Sequence, residues 1–137
     1  ILAQYPRREN LFAQPTLPEF SLTVVKAPLT FCGQNVEHQN WYENLGTMDA
    51  AVARSAPDVV ILGAGAYGLP LASMAKARGA TAIMLGGATQ LLFGIIGSRW
   101  LNDPQYRALV NEHWCRPGDE EKPAAFRTHE ISGGAYW

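Results

Sequence analysis

A run of small residues, GAGAYG at positions 63–68, has the residue types and spacing of a phosphate-binding loop. It follows an apolar stretch rich in β-branched residues and precedes a segment with helical features, so we predict a strand–loop–helix unit. Small residues allow backbone amides to approach an oxyanion closely, and the N-terminus of a helix adds partial positive charge. The loop is therefore the strongest candidate for a ligand site. The alternative is that its glycines only permit tight packing between the strand and the helix.

A second glycine cluster follows the next apolar stretch of the chain. In a parallel sheet both clusters lie at the same carboxyl edge, where open α/β sheets bind their ligands. Thr89 and Gln90 have side chains suited to hydrogen-bond that ligand, although Thr89 also fits a helix N-cap. Arg99 beside Trp100 suits an anion clamp with a stacking aromatic; an exposed arginine beside a core tryptophan is the alternative. The predicted binding residues are Gly63, Gly65, Ala66, Tyr67, Gly68, Gly86, Gly87, Thr89, Gln90 and Arg99.

Other kinds of site have weaker signals in the sequence. A dinucleotide fingerprint needs an acidic residue after the next strand to hold a ribose, but Leu85 leads directly into two glycines. The three histidines, His38, His113 and His129, have no metal-ligand spacing, and His113 and Cys115 would not share one face of a helix. No serine lies in a GxSxG elbow. We therefore predict no metal site from these residues and assign no catalytic residue.

Composition excludes several classes of protein. The 137 residues are 47% hydrophobic and 17% charged, as in a globular domain, and the net charge of −1 gives no basic surface for nucleic acid or an anionic membrane. No apolar run is long enough to span a bilayer. Cys32 and Cys115 lie far apart and favour reduced thiols in a cytoplasmic protein over a disulfide. The chain begins at Ile1 without a signal peptide, and we interpret it as the C-terminal part of a longer protein.

The first half of the chain contains the elements that must lead into the loop. Residues 1–20 predict an irregular N-terminal arm lying over the surface, rich in proline and polar groups. Residues 21–26, SLTVVK, predict a strand. A helix is predicted over 39–55, with a buried stripe of Trp41, Leu45, Met48 and Val52. Residues 58–62 predict a central parallel strand, because both of its faces are apolar.

The second half completes a β–α–β unit and adds shorter helices. We predict a helix over 69–79, stopped by Gly79, and a second buried strand over 80–85. Residues 88–96 predict a short helix. Another begins at an Asp103 cap, buries Tyr106, Leu109, Val110 and either His113 or Trp114, and ends near Cys115. The expected fold is α/β: a single three-layer Rossmann-like domain over 21–137 with a short, mainly parallel sheet and an irregular C-terminal tail.

Three segments together resemble a bacterial protein family found among polysaccharide-biosynthesis functions, some of whose members are described as glycosyltransferase-like. They are residues 59–100, which contain both glycine clusters, NEHWCRP at 111–117 and GGAYW at 133–137. The layout is also similar to GT-D-fold glycosyltransferases, α/β enzymes that bind a nucleotide-sugar donor. Those enzymes share an acidic DxE motif that handles the metal and the donor phosphates. Here Asp49 and Asp58 stand alone, so a divalent cation such as Mn²⁺ is expected only if an acidic motif lies upstream of Ile1.

Three hypotheses for function follow from these observations. The first is a glycosyltransferase-like domain that binds the diphosphate of a nucleotide-sugar, without nucleic acid or a membrane span as partner. The second is a noncatalytic α/β subunit or scaffold module of a larger assembly or homo-oligomer. The third is a fragment of an NAD-type oxidoreductase, against which the missing acidic residue counts.

Overall fold

The computed structural model describes residues 1–28, 40–118 and 121, which divide into two compact units. Thr23–Thr89 form one, here called the sheet unit. Ile1–Leu22 and Gln90–Trp137 form the other, here called the arm unit. The predicted tail, including the GGAYW segment, lies largely outside the described residues, as do Cys32, His38 and His129. Among the described residues, no helix has the length and the apolar character that crossing a bilayer would require.

The first helix of the sheet unit, α1 (Trp41–Ser55), begins where the sequence provides a cap. The Oδ1 atom of Asn40 accepts a hydrogen bond from the backbone N of Glu43 at 3.0 Å, which satisfies one amide of the first turn. The helix ends at Ala56, which has a left-handed φ of 42°. The predicted stripe is confirmed: Leu45, Met48 and Val52 are buried, and Trp41 is half-buried.

A β–α–β unit follows, as predicted, and it positions the glycine loop. Strands β1 (Val59–Leu62) and β2 (Thr81–Met84) pair in parallel, with Val59 opposite Thr81 and Leu62 opposite Met84. Helix α2 (Gly68–Ala77) connects them and ends before Gly79, whose φ of 92° favours glycine. The described part of this unit is thus a mixed helix–strand fold with a two-stranded parallel sheet.

The burial of the two strands differs from the prediction. Residues Val60 and Leu62 join α1 and α2 in one hydrophobic cluster, so both helices cover the same face of the sheet. On the opposite face Val59 is 52% exposed and Ile83 is 42% exposed. The prediction that β1 and β2 are buried on both faces was therefore wrong. An apolar strand sequence indicates that burial would be favourable. Both faces of the strand are buried only where a layer of structure covers each of them.

Residues 21–26 were also predicted wrongly, because they form no strand. Val25 packs against the hydrophobic cluster of the sheet unit without being part of a strand. A β-branched sequence becomes a strand only where its backbone can pair with a neighbour, and strand propensity depends strongly on that context.

The arm unit has a core of its own, and its first residues contribute to that core. Tyr5–Asn10 form a 3-10 helix, and Leu11 is fully buried beside Leu91, Ile96 and Trp114. The segment was predicted to be irregular, and it differs from that expectation in its 3-10 helix. A hydrogen bond of 2.6 Å from Trp114 Nε1 to the carbonyl oxygen of Leu11 holds it in place.

The helices of the arm unit are shorter than predicted. They are α3 (Ala88–Leu92), which includes the boundary between the units, α4 (Ser98–Leu101) and α5 (Pro104–Arg107). The Asp103 cap of α5 is confirmed by a 2.9 Å bond from the backbone N of Gln105.

The predicted extension of α5 to Cys115 was wrong, and Leu109 is 46% exposed instead of buried. The side chain of Asn111 provides the physical reason. Its Nδ2 donates to the carbonyls of Asn10 and Leu11, while its Oδ1 accepts from the backbone N of His113. Such side-chain bonds to the backbone compete with helical hydrogen bonds.

Candidate functional site

The glycine loop connects β1 to α2, as the sequence predicted. A short 3-10 helix, Gly65–Tyr67, lies between them, and Gly68 begins α2 directly afterwards. Inside the loop, the backbone N of Tyr67 donates to the carbonyl of Ala64 at 3.1 Å. The loop therefore turns sharply at the carboxyl edge of the sheet, immediately before the N-terminus of α2.

The middle glycine of the loop faces open space. Gly65 has a φ of 54°, and a Cβ atom built on it would meet no heavy atom within 4 Å. Both Gly65 and its neighbour Ala66 are exposed. No described residue accepts a hydrogen bond from their backbone amides. These two amides are consequently available to an external acceptor at the N-terminus of a helix.

Position 63, the first glycine of the loop, lacks a side chain for a different physical reason. A Cβ atom on Gly63 would lie 2.8 Å from Thr89 Oγ1 and 2.9 Å from the carbonyl oxygen of Gly86. The two glycine clusters are therefore neighbours at the edge of the sheet, as parallel pairing predicted. For Gly63 the packing explanation is sufficient, because its missing side chain allows the two loops to touch.

The last glycine of the loop permits close packing between helix and strand. A Cβ atom on Gly68 would lie 3.0 Å from Cε of Met84, on β2. Gly68 is buried, so it contributes to the contact between α2 and the sheet and does not face solvent. The three loop glycines thus have three roles: contact between loops, an open turn, and packing of helix on strand.

The second cluster forms a tight turn after β2. Gly86 has a φ of 57° with nothing near its Cβ position, and Gly87 is half-buried beside it. The backbone N of Thr89 donates to the carbonyl of Gly86 at 3.1 Å. Thr89 lies within α3, so the alternative that it caps this helix was wrong. Its Oγ1 atom is buried and has no hydrogen-bond partner among the described residues.

The tyrosine of the loop points into the fold. Tyr67 is 4% exposed and belongs to the hydrophobic cluster of the sheet unit. Its ring stacks on that of Trp41, with centroids 5.3 Å apart and 9° between the planes. Tyr67 therefore anchors the loop in the core, although the sequence had placed it among the predicted ligand contacts.

The stacking also brings the start of α1 to the glycine loop. Trp41 is the first residue of α1, while Tyr67 directly precedes α2. Further along both helices, Arg78 pairs with Asp49, and this side-chain hydrogen bond raises the pKa of Arg78 above its ordinary value. The two helices consequently run in the same direction, and both N-termini lie at the edge of the sheet that carries the loop.

Sequence reasoning missed the neighbour of Trp41. Tyr42 is 78% exposed, and its ring meets that of Trp41 edge-on with centroids 5.2 Å apart. The available signal was an aromatic pair immediately after a helix cap. Tyr42 lies outside the stripe of buried residues predicted for this helix.

Two of the predicted binding residues, Gln90 and Arg99, belong to the arm unit. The guanidinium of Arg99 lies 5.1 Å from the centre of the Trp100 ring, a cation–π contact, while Arg99 itself is exposed. Trp100 is half-buried against the core of the arm unit. The Oε1 atom of Gln90 is buried without a hydrogen-bond partner among the described residues.

A metal site requires several His, Cys, Asp or Glu side chains close together. Residues 1–28, 40–118 and 121 contain no group of three or more His, Cys, Asp or Glu side chains arranged to hold a metal ion. His113 lies beside the carboxylate of Glu112 at 3.6 Å, and the thiol of Cys115 forms no disulfide with a described residue.

Comparison with protein-family models, with curated proteins and with solved structures finds no match to this chain. The proposal below therefore rests on the residues of the site and on the resemblance described in the sequence analysis.

Proposed function

We propose that the sheet unit binds the diphosphate of a nucleotide-sugar, as the donor-binding part of a glycosyltransferase-like enzyme. The observation that carries this proposal is the pair of exposed residues Gly65 and Ala66, whose amides have no described acceptor, in the short 3-10 helix that directly precedes α2. A diphosphate offers several oxygens to such amides, and a small, exposed turn allows it to approach the backbone.

The orientation of the helices supports an anionic ligand at this edge. Each helix N-terminus carries a partial positive charge of about half an elementary unit. Because α1 and α2 begin at the same edge, their fields add there. The 63–68 loop and the 86–89 turn carry no acidic side chain, whereas the exposed Glu43 in the first turn of α1 partly offsets the field of that helix.

The roles of the glycines also support a nucleotide loop. In dinucleotide-binding loops, one glycine permits the turn, one the approach of the pyrophosphate, and one the packing of helix on strand. Gly65 meets the second requirement because it is open, and Gly68 meets the third through its contact with Met84. A Rossmann-like third layer over the exposed side of the sheet is part of the proposal.

Other predicted residues have supporting roles in this proposal. Gly86 and Gly87 shape the second turn, and the unpaired hydroxyl of Thr89 lies directly behind Gly63. Gln90 and Arg99 belong to the arm unit and are not part of this proposed site. The proposal names no catalytic residue and no metal ligand.

Titration calorimetry with UDP-glucose and dTDP-glucose, with and without Mn²⁺, tests the proposal. We expect binding by the complete protein and its loss in Ala66→Glu, which puts a carboxylate at the two amides. The matched control is Ala50→Glu, which adds the same charge at an exposed position in the middle of α1. Absence of binding by the unaltered protein at millimolar ligand contradicts the proposal, and so does equal binding by the two variants.

The exposed face of the sheet favours a second candidate, a noncatalytic subunit of a larger assembly or homo-oligomer. Val59 and Ile83 expose apolar surface that parallel sheets normally cover. In that case Ile83→Lys abolishes association in sedimentation experiments and leaves nucleotide binding unchanged. A protein that sediments as a monomer and purifies without another chain contradicts this candidate. A fluorescence titration with NADH distinguishes the oxidoreductase alternative, since that alternative requires saturable binding of NADH.

A further inference from the structure

We infer that Tyr42 is a stacking platform for the nucleobase of the nucleotide whose diphosphate lies on the glycine loop. The inference rests on the proposed function and adds a second recognition element to the same site. It assigns the base-binding part to the start of α1, a region that the sequence pattern had associated only with the core.

The exposure of Tyr42 is the first observation. At 78% exposure its ring has free surface, and Tyr42 is absent from the hydrophobic cluster that holds α1 against the sheet. The packing of the helix start is provided by Trp41, which is half-buried and does contact that cluster. Tyr42 therefore makes no visible contribution to the core that would explain an aromatic residue at this position.

The connection of Tyr42 to the glycine loop is the second observation. Its ring contacts Trp41 edge-on at 5.2 Å, with an angle of 86° between the planes. Trp41 in turn stacks on Tyr67, which lies two residues after the open Gly65. The row of three rings thus extends from the loop to the solvent. Because two of the three are packed into the fold, the exposed ring is held at the edge of the site.

The chemistry of the edge indicates what the ring binds. Aromatic side chains bind nucleobases through their faces, and the interaction does not depend strongly on which base is present. The same edge presents the N-terminus of α2 and two amides without a described acceptor, which attract an anion, while Glu43 beside Tyr42 offsets the field of α1. A nucleotide has a planar base that can stack on the tyrosine and a diphosphate that can bind at the amides. An apolar protein segment would satisfy only the tyrosine.

Calorimetry with three probes tests the inference: UDP, ADP and inorganic pyrophosphate. The variant Tyr42→Ala removes the ring, and Tyr42→Phe retains it. The matched control is Leu109→Ala, which truncates another exposed apolar side chain, in the arm unit. Circular dichroism melting of each variant checks that the fold is intact, which we expect since the side chain is mainly in solvent.

We expect Tyr42→Ala to weaken UDP and ADP about 5- to 100-fold, since stacking contributes about 1–3 kcal/mol per base. Pyrophosphate binding should stay unchanged, and Tyr42→Phe and Leu109→Ala should bind all probes as the unaltered protein does. If Tyr42→Ala binds UDP normally, or loses UDP and pyrophosphate equally, the stacking platform is wrong while the proposed function stands. If the unaltered protein binds neither UDP nor pyrophosphate, the proposed function itself fails, and the platform fails with it.

Discussion

Gly63 and Thr89 are in contact across the edge of the sheet, so closely that a Cβ atom on the glycine would lie 2.8 Å from the threonine Oγ1. The carbonyl oxygen of Gly86 would lie 2.9 Å from the same atom. The threonine side chain has some freedom to move, but the carbonyl is fixed by the turn after β2. The two loops can therefore meet only because position 63 lacks a side chain.

Gly63→Ala is expected to destabilise the protein by about 1–3 kcal/mol, because one extra methyl group must force the two loops apart. Urea unfolding followed by circular dichroism measures the change. Gly46→Ala is the matched control, since that Cβ atom would meet nothing within 4 Å, on an exposed part of α1. It should stabilise the protein by about 0.5–1 kcal/mol, as alanine favours a helix. Equal stability of the two variants would show that the loops are not in close contact.

Gly94→Ala is expected to be the more damaging of a second pair of glycine substitutions. Gly94 has a φ of 64°, and its Cβ atom would lie 2.6 Å from Cδ2 of the fully buried Leu11. The comparison is Gly79→Ala, where φ is 92° but the Cβ position is open. Gly79→Ala should show only the backbone strain, about 1–3 kcal/mol, whereas Gly94→Ala adds the clash. Thermal unfolding of both variants measures the difference, and a smaller effect at Gly94 would contradict the packing of Leu11.

Gln4→Ala is expected to loosen the arm unit. The buried Nε2 atom of Gln4 donates to the carbonyl oxygens of Gly94, at 3.2 Å, and of His113, at 2.9 Å. Losing both bonds leaves the part-buried carbonyl of His113 without this donor, while the carbonyl of Gly94 keeps its bond from the backbone N of Cys115, and we expect a cost of about 1 kcal/mol. Gln14→Ala, at an exposed position of the same arm, is the control. Hydrogen exchange should speed up at Ile96 and Trp114 in the first variant only; unchanged exchange there would refute the role of Gln4.

Asp49→Asn is expected to change stability little. The pair formed by Asp49 and Arg78 lies at the surface, where solvent screens the attraction. Because the pKa of Arg78 is raised, the stability linked to that shift is fully present below its ordinary pKa and is lost only as the pH rises through the higher, folded-state value. The small effect of the substitution should therefore be the same at about pH 6 and about pH 9. If the effect of the substitution on stability grew between these two pH values, the link between that stability and the raised pKa of Arg78 would be wrong.

Some features of the site were predictable because they depend on neighbouring residues. The predicted cap at Asp103 satisfies an amide two positions away, and the left-handed Gly79 follows the helix that it was predicted to stop. The glycine loop follows directly from the β-branched strand before it. The parallel pairing of β1 and β2 required one further inference, that a short helix between two strands returns to the same sheet.

Other features depend on residues far apart in the chain. The role of Gly63 is decided by Thr89, and the burial of Leu11 by Trp114. The same holds for Leu109, which fits a helical stripe but lies beyond the end of α5 at Arg107 and is exposed.

The sequence by itself determined that a glycine loop joins a parallel strand to a helix, because backbone preferences and capping act over a few residues. Tertiary structure decided that α1 and α2 pack on the same face of the sheet, since burial depends on which layers are present. It also decided that Tyr67 anchors the loop while Tyr42 is exposed beside it. Tyr67 stacks on Trp41 within the core cluster, whereas Tyr42 meets the same ring only edge-on.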